Sequence, residues 1–105
     1  MTDAKDKTEL LLAALWVKVR PLVEERLTTL DQAAAAASAG TLGDDLRKEA
    51  AGSAHKLAGS LGMYGYDEGT RIARELEVLL GGAAPDAALL NGLIAELRGA
   101  IAPAG

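Results

Sequence analysis

The chain has 105 residues, enough for one small domain around a single core. Half of its residues are hydrophobic, but only 3% are aromatic and none is phenylalanine. The core must therefore come from leucine, alanine, valine and isoleucine, which favours packed helices over a sheet. A net charge of -4 argues against a general attraction to nucleic acid or anionic lipid, and the lack of cysteine excludes disulfides, thiol catalysis and cysteine–metal sites.

Residues 1–6 read as a frayed start, polar and mixed in charge, without the apolar core of a signal peptide. No apolar run approaches the roughly 20 residues of a membrane span. A cytoplasmic protein is expected. A first helix should begin near Thr8, a candidate cap, and carry the stripe Leu12, Leu15, Val19, Leu22, Leu27, Leu30, Ala33 and Ala37. Pro21 removes a backbone donor and crowds the preceding turn. That predicts one long helix bent near Pro21, although two helices also fit. Gly40 ends this element.

The second helix is expected from about Gly43 to Leu61, capped by Thr41 or Asp44, with Asp44 and Asp45 complementing its dipole. Gly62, Met63, Tyr64 and Gly65 close it. Asp67 is the expected N-cap of a third helix with the stripe Ile72, Ala73, Leu76, Leu79 and Leu80, stopped by Gly81 and Gly82. Pro85 and Asp86 open a fourth, with Leu90, Leu93, Ile94, Leu97 and Ile101 as its stripe. Gly99 weakens its last turn, Pro103 follows, and 103–105 read as frayed. No strand signal and no internal repeat is visible. The pattern predicts an all-α, antiparallel four-helix bundle over residues 1–105 as one domain.

The only histidine, His55, lies on the second helix. At about 100° per residue, Leu46, Ala50, Leu57 and Leu61 share one side, with Ala54 at its edge. His55 stands on the other, among Gly52, Gly59, Ala51, Ala58 and Gly62. Each helical glycine costs roughly 1 kcal/mol relative to alanine. A face cleared at that cost suggests that another surface comes close to the imidazole. Imidazole, with an unperturbed pKa of about 6.5, is a nucleophile near neutral pH and can form a phosphoramidate. Lys56 lies about 100° around the helix from His55 and Lys48 almost two turns back on its side. Arg71 and Arg74, on the third helix, offer a basic rim. All four also read as ordinary solvated charges.

The run Ala54-His55-Lys56-Leu57-Ala58-Gly59-Ser60-Leu61-Gly62-Met63-Tyr64-Gly65, followed by a helix with Leu76-Glu77, resembles the histidine-containing phosphotransfer (HPt) domains of multistep two-component signalling. The resemblance implies a four-helix bundle in which His55 is the phosphoacceptor at Nε2 and Glu77 matches the residue that holds Nδ1. It implies a phosphocarrier, not an autonomous enzyme. The expected partners are a response-regulator receiver domain and a histidine kinase or hybrid kinase. No cofactor or metal is expected on the chain itself, Mg²⁺ being supplied by the receiver. Many family members carry lysine three residues after the histidine, where this chain has Ala58. That departure keeps a second function open, an adaptor that docks a receiver or kinase without transferring phosphate. One histidine makes a poor metal site, and nucleic-acid binding is disfavoured. A monomer is expected.

Overall fold

The computed structural model describes the backbone of residues 4–101 and the side chains of 6–101. Four helices follow one another: α1 (Ala4–Ser38), α2 (Asp44–Met63), α3 (Asp67–Leu80) and α4 (Ala87–Ile101). Among the described residues no strand forms, and no helix is long and apolar enough to cross a membrane. Of the expected frayed ends 1–6 and 103–105, residues 1–3 and 103–105, with Pro103, lie outside the described residues, whereas 4–6 are not frayed but form the start of α1. Each helix packs on its neighbours in sequence, and α4 closes the bundle against α1. The pairs α1–α3 and α2–α4 face each other across the core, with no close backbone approach among the described residues.

The start of α1 differs from expectation. It begins at Ala4, which puts Thr8 inside the helix and not at its cap. Pro21 lies within it, so one helix forms and not two. At 35 residues α1 is about 52 Å long by its rise per residue, which accounts for most of the 57 Å long axis of the molecule. Its core contacts are concentrated in the second half: Val23, Leu27, Leu30, Ala33 and Ala34 are buried. Leu15 and Leu22, expected on the core stripe, remain 40% and 42% exposed. They lie about a quarter turn around from Val23, Leu27 and Leu30, outside the arc the bundle covers.

Two helices end by the same device. Gly40 has φ 73° and Gly65 has φ 83°, the left-handed region that side chains resist. Around Gly65, Tyr66 N–H donates to the Leu61 carbonyl at 3.0 Å and Gly65 N–H to Gly62 at 3.3 Å. Around Gly40, Thr41 N–H donates to Ala36 and Gly40 N–H to Ala37. Both are Schellman closures of a helix C-terminus. Thr41 also turns its hydroxyl back to the Ala36 carbonyl. The expected cap of α2 by Thr41 or Asp44 is thus replaced by Gly43, with no side-chain bond. Asp67 likewise sits in the first turn of α3, behind Tyr66 at the cap position. Asp86 does cap α4, accepting from Leu89 N–H at 2.8 Å.

The turn at Gly65 folds α3 back on α2, and this is the most extensive helix pair in the molecule. Leu57, Leu61, Ile72, Leu76 and Leu80 are fully or almost fully buried along it. Burying a leucine or isoleucine contributes about 1.5–3 kcal/mol. Gly69 lets α3 approach closely: a methyl group there would stand 3.1 Å from both Leu61 and Ile101 side chains. Trp16 of α1 caps the turn, its ring centroid 5.4 Å from Tyr64 and 4.8 Å from Tyr66. All the buried side chains described are apolar. Replacing Gly65 by alanine is expected to cost about 1–2 kcal/mol, the left-handed penalty, read as a lowered urea midpoint with unchanged slope.

Candidate functional site

The α2–α3 seam brings His55 and Glu77 together. His55 Nδ1 and Glu77 Oε2 are 2.9 Å apart. The His55 side chain is 73% exposed and that of Glu77 39% exposed. A carboxylate only accepts hydrogen bonds, so the shared proton belongs to Nδ1. Nε2 then keeps its lone pair. Glu77 faces α2 because it shares a side of α3 with buried Ala73, one turn earlier.

The residues around the imidazole separate into those left open and those covered. A Cβ added to Gly52 or Gly59 would meet nothing within 4 Å. Packing inside the chain therefore gives no reason for glycine at either position. At Gly62 the added atom would make an ordinary contact with Thr70 Oγ1, at 3.4 Å. Ala58 does not belong to the open face as expected, being only 6% exposed. It points toward α3, whose Thr70 hydroxyl donates to the Ala58 carbonyl at 3.3 Å.

The four candidate cations also separate. Lys48 and Lys56 are exposed, with no ion pair among the described residues. Lys56 borders a depression of about 340 Å³ between α1 and α2, together with Leu22, Arg26 and Gly52. Arg71 is not brought to His55. It pairs with Glu68 one turn before it and with Glu75 one turn after it, the latter at 3.0 Å. The hydrogen bond from Arg71 holds the Glu68 carboxyl below its usual range, and Glu68 in return raises the guanidinium. Arg74 is exposed and makes neither hydrogen bond nor ion pair among the described residues.

Three residues were not singled out by sequence. Leu22 and Met63 leave apolar side chains 42% and 69% exposed beside the glycine-lined strip. The sequence pattern places Leu22 on the core stripe and Met63 only at the helix end. Arg26 donates from Nη1 to Ser60 Oγ at 3.3 Å across the α1–α2 seam. Its position on α1 carries no sequence signal linking it to α2. Among the described residues no group of three or more histidine, aspartate or glutamate side chains gathers to hold a metal.

The site offers one exposed imidazole hydrogen-bonded at Nδ1 to a carboxylate, open glycines around it and, among the described residues, unpaired lysines on the same helix. Gly52→Ala and Gly59→Ala are each expected to raise stability by about 0.5–1 kcal/mol in urea denaturation. A loss of stability would mean that the glycines serve the fold. Compared with known proteins, the chain matches the family model of the Hpt domain over residues 14–102. No curated protein and no solved structure matches it.

Proposed function

Because the chain belongs to the Hpt domain family, we propose that it is a histidine phosphocarrier in which His55 accepts a phosphoryl group on Nε2 and exchanges it with a receiver-domain aspartate. Hpt domains are generally phosphocarriers, not autonomous catalysts, and interact with kinases and receiver domains. The observation that carries the reading is the 2.9 Å bond from Nδ1–H to Glu77 at an imidazole left 73% exposed. It fixes the donor nitrogen inward and leaves the nucleophilic one outward.

In the transfer, the Nε2 lone pair attacks the phosphorus of the receiver's acyl phosphate. The Nε2–P bond forms as the P–O bond breaks, and the aspartate carboxylate leaves with that electron pair. The product ring is a phosphoimidazolium, still protonated on Nδ1, and its positive charge faces the Glu77 carboxylate. The reverse step returns the electron pair to Nε2. The Mg²⁺ that neutralises the moving charge belongs, in this reading, to the receiver. The receiver covers Gly52, Gly59 and Gly62, with Leu22 and Met63 as apolar contacts. The second reading, an adaptor that docks without transfer, draws its support from Ala58, which brings no basic side chain to the site.

The test is phosphoryl uptake from a phosphorylated receiver in the presence of Mg²⁺. Acid-labile, base-stable label is expected on the parent and none on His55→Gln. Glu77→Ala should slow uptake about tenfold, the effect of losing a charged hydrogen bond of roughly 1.4 kcal/mol. Receiver binding by the parent without label, unchanged in His55→Gln, would replace the carrier reading with the adaptor.

A further inference from the structure

A phosphoryl group on Nε2 brings close to two negative charges to a surface that has no cation bonded to it. We propose that Arg74 is the residue that compensates this charge, reaching the phosphoryl group from α3. The proposal rests on the phosphocarrier reading above and names the residue that binds the transferred group.

The argument is one of bracketing. Thr70 and Glu77 both touch α2, Thr70 at the Ala58 carbonyl and Glu77 at the His55 ring. Arg74 lies between them on α3, one turn after Thr70 and one turn before Glu77. Residues three and four apart on a helix are neighbours on its surface, with Cβ atoms about 5–6 Å apart. The backbone at Arg74 therefore passes α2 at the level of residues 55–58. Arg74 also stands toward solvent, about 60° around α3 from Glu77, within an arginine's reach of the α2 side of the helix.

The other cations are less well placed or already engaged: Lys48 is on the His55 side of α2 but almost two turns, about 10 Å, back along the helix. Arg71, one turn before Arg74 on α3, lies further around that helix and is held by Glu68 and Glu75. Lys56 and Arg26 stand on the α1 side of α2, where both border the depression with Gly52. The His55 ring is drawn to the opposite side, toward α3, by its bond to Glu77. Arg74 is uncommitted: Glu77, its neighbour at i+3, is turned to His55 and forms no ion pair with it. In the unphosphorylated structure Arg74 lines the groove between α3 and α4 with Arg71, Glu75, Val78 and Leu89 and forms no ion pair there, so it meets the phosphoryl group by turning its side chain toward α2. A guanidinium can meet a phosphoryl group through two parallel N–H donors.

The division of charge is then complete. Glu77 faces the positive ring, and Arg74 faces the negative phosphoryl group. The two side chains come from successive turns of one helix, so the seam that sets one also sets the other.

The experiment measures how the phosphoryl group partitions between a receiver and the parent chain, Arg74→Gln, Arg74→Lys or Arg71→Gln. Receiver affinity of each unphosphorylated protein is measured in parallel. Arg74→Gln is expected to shift the partition toward the receiver about fivefold with receiver affinity unchanged, an exposed pair being worth at most about 1 kcal/mol. Arg74→Lys should recover most of that shift, and Arg71→Gln should stay within about twofold of the parent. An unchanged partition in Arg74→Gln would overturn the assignment. So would an equal shift in Arg71→Gln, or a loss of receiver affinity large enough to account for the shift. A labelled parent with any of these results leaves the carrier reading standing. A parent that binds the receiver but stays unlabelled removes both.

Discussion

The antiparallel seam between α2 and α3 is the constraint on which the site depends. Its register is set at one end by the left-handed turn at Gly65. At the other end Arg47 of α2 donates to the Leu80 carbonyl at 2.9 Å, satisfying the C-terminus of α3. Between these ends the bonds at Ala58–Thr70 and His55–Glu77 join residues at roughly equal distances before and after the turn. A shift of one residue along α3 would rotate Glu77 by about 100° and take its carboxylate from the imidazole. The buried Leu57, Leu61, Ile72 and Leu76 resist such a shift, because their shapes interlock only in one register. Packing energy in the core thus becomes positional accuracy at the surface.

The same helix serves two opposed demands. Its inner side, with Ala50, Ala54, Leu57 and Leu61, is buried and contributes to stability. Its outer side gives up helix propensity at Gly52 and Gly59, with no intrachain contact to justify the loss. The cost, about 2 kcal/mol for the pair, is a substantial part of the stability of a small domain. Functional surfaces commonly hold residues that are not the most stable choice. The glycines fit that pattern, and in the proposed docking their absent side chains leave room for a partner's backbone beside His55.

Much of this was legible in the sequence, and the illegible parts have physical causes. The stripes of α3 and α4 could be read because most of their large apolar residues fall on one side: Ile72, Ala73, Leu76 and Leu80, then Leu90, Ile94, Leu97 and Ile101, are all buried, with Val78 and Leu89 the exposed exceptions. The first half of α1 could not. Leu10, Leu11, Leu12, Leu15, Val17, Val19, Leu22 and Val23 surround the helix and permit several stripes, so Leu15 and Leu22 were assigned to the core. The caps at Thr41 and Asp67 failed by one or two residues, within the ordinary uncertainty of helix ends. His55 and its open glycines followed from spacing, and Glu77 from the resemblance. The difference between Arg71 and Arg74 did not, since both are exposed arginines a turn apart. It arises because Glu68 and Glu75 both reach Arg71.

A carrier has a further requirement beyond accepting the group: it must release it. A buried, preformed anion clamp would compensate the phosphoryl charge strongly, since charge interactions strengthen away from water. It would also hold the group against the next acceptor. Around His55 the cations are exposed, and exposed pairs contribute at most about 1 kcal/mol. The observed hydrogen bond is instead given to Nδ1, which stays protonated in both directions of the proposed transfer. In the carrier reading, a ring held at Nδ1 and a phosphoryl group met only by exposed cations would keep the loaded and unloaded states close in energy. Reversible transfer then depends on which receiver docks, and little on this chain's own affinity for phosphate.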